Sequence, residues 1–429
     1  MTLKLLILFL GAANSANILC VFPTPSYSHH TVFKKYVATL SESGHNVTVI
    51  TPFEYNDCHN CLVPSYMFQK LTTSVVVADE TTVTKTNYMS LINLITQQMK
   101  SENVTSLLNN KDTKFDLVVA EAYLEMLLMF SHFYQAPVIQ MSSGHALPEN
   151  FETMGAVSRN AVKHPNLWRS SHNIDYENKL QREWKLIEHA QDNVARKQFN
   201  SRPLKILREN VKLLLVNVPT IMDNYRSVPQ TVQYLGGLHL NSTTIEPLDD
   251  ELKRFADRGK FIYVSFGATK DLRNFDILSK MSRTFSNCKY NVLWKSRSYF
   301  NISENIMTRD WLPQRSVLKH ENLKLFITQG GVQSIDEAID NTVPMLVVPT
   351  MGDQFFNAKR IVDLGIGKKG DLFNTGLMGR QINKIIDNYD LFKDNLKIVK
   401  RLINDKPMSS THASLWYTNY VLRNKDLKR

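Results

Sequence analysis

Two kinds of hydrophobic pattern alternate along the chain. Short runs that are apolar at nearly every position are followed by longer segments in which apolar residues recur every three or four positions, and the alternation occurs twice. Residues 17–22 are the first run; Val32, Phe33, Tyr36, Val37 and Leu40 then define one face of a helix that Gly44 brings to a stop. Further runs lie at 46–51, 115–120, 138–141 and 211–218, with a helical segment near 125–134. The pattern restarts at 261–266 and passes through 290–295, 323–328 and 345–348. Unbroken apolar strands joined by amphipathic helices predict parallel sheets covered on both faces. The expected fold is α/β: two doubly wound, Rossmann-like domains facing each other across a cleft. Ligands of such sheets collect at the carboxyl ends of the strands, so the cleft is the expected site.

The breaks in the pattern suggest the boundaries. Lys4 precedes an apolar run at 5–13 and small residues follow through Ala16, so residues 1–16 read as a cleavable signal peptide, with the mature chain starting near Asn17. Residues 17–238 form the first domain, 239–250 a polar linker after Gly236 and Gly237, 251–405 the second domain, and 406–429 a closing helix expected to pack back on the first domain. Within the first domain, residues 150–203 turn polar and helical, an insertion of the kind that shapes a cleft. No later run is long enough to span a bilayer, and the expectation is a secreted protein without a membrane anchor.

Composition changes this picture little. The 429 residues carry 51 Lys and Arg against 40 Asp and Glu, a net charge of +11, but the positive residues are scattered and form no basic block, so nucleic acid is not the expected partner. In an exported chain the Asn-x-Ser/Thr triplets at Asn103, Asn241 and Asn301 are glycosylation candidates, whereas Asn46, at the head of a strand, is not. Cys58 and Cys61 have metal-like spacing without a second pair, which leaves a small loop disulfide or free thiols.

Chemistry concentrates between Trp311 and Gln354. A strand ends at Thr328, Gly330 and Gly331 let the backbone approach a ligand closely, and a helix begins near Ser334, so unpaired amides and the positive end of the helix dipole would face a phosphate. A pyrophosphate suits that arrangement. In the first domain, His29 and His30 stand on the loop after the first strand, at the carboxyl edge of the sheet. There an imidazole can take a proton from an attacking hydroxyl if a carboxylate steadies it.

Trp-Leu-Pro-Gln at 311–314, Thr-Gln-Gly-Gly-Val-Gln-Ser at 328–334, Glu337-Ala338, Val343-Pro344 and Asp353-Gln354 together resemble the signature of the UDP-glycosyltransferase family. The resemblance implies a fold of the two-domain GT-B type, no cofactor, and a UDP-sugar as co-substrate. By analogy, Trp311 would stack on uracil, Gln314 bond near the base, Glu337 accept from the ribose, Gly331 and Ser334 serve phosphate, and Asp353 and Gln354 hold the sugar. Gln329 stands where the family usually has a phosphate-contacting histidine, and Ala268 where it has Ser or Thr, with Thr269 as the substitute. The family's catalytic histidine matches His29, while His30 reads as a helix cap or surface neighbour. Its acidic partner matches Glu121, an aspartate in the family. No Asp-x-Asp pair occurs, so metal-independent, inverting displacement is expected.

Within the family, residues 22–30, 140–158 and 328–334 are similar to the ecdysteroid-conjugating subgroup of insect baculoviruses. That likeness implies glucose as the sugar and a small apolar hydroxylated acceptor such as ecdysone. The Met- and aromatic-bearing segments 123–134 and 151–154 are the candidate acceptor wall, although Met and Leu at helical spacing more often pack inward as core. The competing readings are another nucleotide-sugar enzyme on the same scaffold and a non-catalytic protein that sequesters a hormone.

Overall fold

The computed structural model describes residues 15–62, 85–160, 163–164, 174–241, 245–267, 275–296 and 303–425. Thr269, Asn301 and most of the N-terminal leader lie outside them.

The two predicted sheets are present and entirely parallel. The first has seven strands: β1 (Asn17–Val21), β2 (Asn46–Ile50), β3 (Asn60–Leu62), β4 (Leu117–Glu121), β5 (Val138–Ser142), β6 (Val211–Val216) and β7 (Val232–Tyr234), in the spatial order 3-2-1-4-5-6-7. The second has six: β8 (Phe261–Ser265), β9 (Asn291–Lys295), β10 (Ile306–Arg309), β11 (Leu323–Thr328), β12 (Met345–Val347) and β13 (Gly367–Lys369), in the order 10-9-8-11-12-13. Both wind outwards from a central pair, β1 with β4 and β8 with β11. Connections leave such a pair in opposite directions, which opens a crevice at its carboxyl end.

Burial follows the pattern read from the sequence. Every residue of β4, β5 and β8 is buried, as strands covered on both faces require. The helix Tyr27–Glu42 covers β1 with Val32, Phe33, Tyr36, Val37 and Leu40, and the chain then turns at Gly44, whose φ is +87°. The insertion is dominated by one helix, Ile174–Phe199. Among the described residues no helix is long and apolar enough to cross a membrane. Cys58 and Cys61 form a disulfide beside β3.

The last helix, Ser410–Arg423, returns to the first domain. Lys406 Nζ and Ser410 Oγ each donate to the carbonyl of Leu235 at 2.9 Å, and Tyr36 Oη meets Thr418 Oγ1 at 2.7 Å in a fully buried position. Two chain segments therefore link the sheets, one after β7 and one before this helix. Replacing Thr418→Val leaves the Tyr36 hydroxyl buried without that partner. A urea titration should show a loss of about 1–3 kcal/mol.

Candidate active site

The acceptor-side pair comes from the central strands of the first sheet. Glu121 is the last residue of β4, completely buried, and His29 sits in the first turn of the helix that follows β1. Their side chains meet at 3.0 Å, His29 Nδ1 against Glu121 Oε1, while Glu121 Oε2 accepts the Thr24 main-chain N–H at 3.1 Å. With Nδ1–H donating to the carboxylate, Nε2 is left unprotonated and able to take a proton. The His29 ring, 24% exposed, lies 5.4 Å from the ring of Tyr123.

His30 is not the cap or surface residue expected. It is buried, its Nε2 meets the Thr24 carbonyl at 2.8 Å and its Nδ1 meets Tyr55 Oη at 2.5 Å. Burial pushes its pKa down to about 4, so it stays neutral and holds the 22–26 loop. The acceptor wall also differs from expectation. Met126 to Phe130 are fully buried among core side chains, as are Phe151 and Met154, because apolar groups at helical spacing are drawn under the sheet. Of those segments, Tyr123 is the residue beside His29.

The donor side is built around β8 and β11. Gly267 follows β8 with φ +83°, and a Cβ there would lie 2.3 Å from Gln329 Nε2; Gly330 has φ +93°, and a Cβ would strike Val347 Cγ1 at 2.5 Å. Only glycine allows both turns to pack this closely. The helix expected near Ser334 begins earlier, as Val332–Asp340 with Gly331 at its N-cap, so Ser334 stands within the first turn. Its free amides face the cleft, and Gln329 joins them with a carboxamide whose Oε1 is buried without a hydrogen-bond partner.

Gln314 ties this helix to the next segment. Its Nε2 donates to Ser334 Oγ at 2.9 Å and to Glu337 Oε2 at 2.7 Å, while Tyr263 Oη donates to its Oε1 at 3.2 Å. The carboxamide is thus engaged in aiming Glu337 and Ser334. Trp311 is 49% exposed, with Lys295 Nζ 4.5 Å from its ring centre and Tyr27 of the first domain edge-on at 5.7 Å. Gln354 accepts at Oε1 from Thr350 N, Thr350 Oγ1 and Met351 N at 2.9–3.0 Å, which leaves its NH2 to face a ligand. Asp353 is half-buried, and desolvation raises its carboxyl pKa against the opposing pull of His145, an Asn357 hydrogen bond and His29. Among the described residues no three His, Cys, Asp or Glu side chains are grouped to hold a metal ion.

The sequence did not single out Thr24, His145, Lys295 or Asn357. Asn357 was findable, four positions after Asp353 on one helix face, and His145 lies three residues beyond the end of β5. Of the glycosylation candidates, Asn103 is exposed on the helix Glu102–Asn109 and Asn241 ends the short turn Leu238–Asn241.

Two parallel sheets with facing crevices, one holding a histidine–carboxylate pair and the other a helix start beside two glycine turns, match the two-domain architecture of solved glycosyltransferases. The solved glycotransferase of kitacinnamycin has this fold, with a TM-score of 0.67 at 16% identity over 94% of this chain and 99% of that one. The chain belongs to the family described as UDP-glucoronosyl and UDP-glucosyl transferase, whose model matches residues 181–429, and it is a UDP-glycosyltransferase. It is 46% identical to the ecdysteroid UDP-glucosyltransferase of Lacanobia oleracea granulosis virus, over 96% of this chain and 95% of that protein. It is 40% identical to the protein of the same name from Lymantria dispar multicapsid nuclear polyhedrosis virus, over 96% and 88%.

Burial raises the pKa of Glu337, with the Gln314 hydrogen bond opposing it. A carboxylate shifted upward loses its charge, and with it much of its strength as a hydrogen-bond acceptor, at a higher pH than an ordinary glutamate. Calorimetry with UDP-glucose should therefore show affinity falling as pH drops through a point above the usual carboxylate range. Glu337→Gln should bind roughly tenfold more weakly at neutral pH and lack that dependence.

Proposed function

We propose that the protein transfers glucose from UDP-glucose to a hydroxyl of an ecdysteroid such as ecdysone, with inversion and without a metal ion. The observation that carries the reading is the buried Glu121 holding His29 at 3.0 Å beside Tyr123, at the carboxyl end of the first sheet. His29 Nε2 takes the proton of the acceptor hydroxyl as its oxygen bonds to the anomeric carbon. The bond from that carbon to the β-phosphate oxygen breaks on the opposite face, and UDP leaves with the electron pair. The Glu121 carboxylate stabilises the imidazolium that forms.

Trp311 offers an indole face to uracil, Glu337 accepts from the ribose, and the amides after Gly331 with Ser334 and the Gln329 NH2 receive the diphosphate. Main-chain donors at a helix N-terminus can stabilise that charge, which supports metal independence. Asp353 as acceptor and the Gln354 NH2 as donor complement sugar hydroxyls. The ecdysteroid is supported by the names of the viral relatives. Export is supported by the leader at residues 1–16 and by the Cys58–Cys61 disulfide, a bond that persists in oxidising compartments.

Purified protein mixed with ecdysone, UDP-glucose and a chelator should yield a hexose adduct by mass. UDP-galactose and UDP-glucuronate should give less, and no adduct with any donor would overturn the reading. His29→Ala should lower turnover by a factor of at least about 100 while UDP-glucose affinity stays within about twofold. Protein recovered from the medium of expressing insect cells should begin near Asn17 on N-terminal sequencing.

A further inference from the structure

The cleft is crossed by a buried polar contact that the mechanism above does not use. His145, on the loop after β5 in the first domain, places Nε2 2.9 Å from Asn357 Oδ1 on the helix Gln354–Asp363 of the second. Asn357 then donates from Nδ2 to the Gly330 carbonyl at 2.9 Å and to Asp353 Oδ2 at 3.0 Å. A carbonyl cannot donate, so the atom against Gly330 must be the NH2. The Asn357 oxygen is therefore an acceptor, and His145 Nε2 carries the proton given to it. One side chain of the first domain thus fixes both the sugar-type carboxylate and the glycine turn at the phosphate helix.

The other end of the link is equally tied. The His145 carbonyl accepts from Tyr123 Oη at 2.9 Å and Ser142 Oγ at 2.7 Å, and the Tyr123 ring lies beside the His29 ring. His145 Nδ1 is buried with no hydrogen-bond partner among the described residues, and the ring packs edge-on against Phe356 at 5.4 Å. Leaving such an atom unpaired is costly, and an apolar residue would avoid that cost. The polar ring makes sense if the Nε2 bond is needed.

We propose that His145 is a positioning residue for the donor hexose: by clasping Asn357 it sets Asp353 and Gly330 relative to the base when the domains are together. The proposal rests on the glycosyl-transfer reading and adds to it a residue on the acceptor domain that governs sugar binding. It touches no reacting atom itself.

Asparagine can mimic Nδ1 of a histidine and glutamine Nε2, which makes the clasp separable from the ring. His145→Ala and His145→Asn remove it; His145→Gln keeps a donor near the Nε2 position. UDP affinity, UDP-glucose affinity, kcat and KM are measured for each, together with thermal melts. The expected result is a roughly tenfold to hundredfold loss in kcat/KM for UDP-glucose in His145→Ala and His145→Asn. Affinity for UDP, which has no hexose, stays within about twofold, and His145→Gln recovers most of the loss. Equal weakening of UDP and UDP-glucose, or a His145→Gln variant no better than His145→Ala, would overturn the proposal. Should His145→Asn not fold, Asn357→Ala cuts the same contact from the other side and carries the same expectation. Failure of the transfer reading is distinguishable, because it shows as no adduct from the unsubstituted protein. The difference between UDP-glucose and UDP affinities then still reads the clasp.

Discussion

A carboxylate taken wholly out of water must be met by hydrogen-bond donors, and much of the acceptor side follows from how Glu121 is met. One oxygen takes the N–H of Thr24 and the other takes His29. The first bond fixes the path of the chain between β1 and the helix that follows. The second fixes the imidazole and the nitrogen it turns away from the carboxylate. Breaking either leaves a buried charge short of a partner, so the loop, the helix start and the base are held by one constraint. Buried His30 adds a second tie to the same loop through the Thr24 carbonyl.

The donor side solves the opposite problem. A diphosphate needs donors and a hexose or ribose needs both donors and acceptors, and the proposed donor site in the second domain keeps the two kinds of group apart. Amides at the start of Val332–Asp340 lie at the glycine turns, while Glu337 and Asp353 stand apart as acceptors. Both carboxyls are half-buried and pushed by desolvation toward their neutral forms, and each has a carboxamide beside it, Gln314 and Asn357, donating from NH2. Those neighbours favour the charged form that sugar hydroxyls require. The overall charge of +11 is spread too widely to account for any of this.

The fold was largely legible because long buried strands leave unbroken apolar runs. What escaped notice were β3, β7, β10 and β13, outer strands of three or four residues carrying polar side chains such as Lys368 and Lys369. Such segments are held by backbone pairing with a longer neighbour, and their side chains carry little record of it. In the site, residues within one local motif were legible: His29, Glu121, Trp311, Gln314, Ser334 and Glu337 are where strand ends and helix turns put them. His30 was misjudged because its burial depends on Tyr55, twenty-five residues away. The Met126–Phe130 stripe could be read as cleft or core, and only the position of the sheet decides. The His145–Asn357 contact spans 212 residues and two domains, beyond the reach of any periodicity.

That long-range contact bears on how the two halves are held. Two linking segments constrain the domains more than one would, since a twist about one crossing must also strain the bonds from Lys406 and Ser410 to Leu235. Around the cleft, the domains meet through directional polar contacts, among them Gln333 Nε2 to the Ser143 carbonyl at 2.9 Å, Arg360 to the Ile221 carbonyl at 2.7 Å, and His145 to Asn357, together with the ring contacts of Tyr27 with Trp311 and His145 with Phe356. Isolated hydrogen bonds of this kind each contribute about 1 kcal/mol, and water can replace them when the surfaces part. The seam therefore joins the His29 side of the cleft to the Asp353 side through directional contacts, while the linking segments confine the path along which the two can separate.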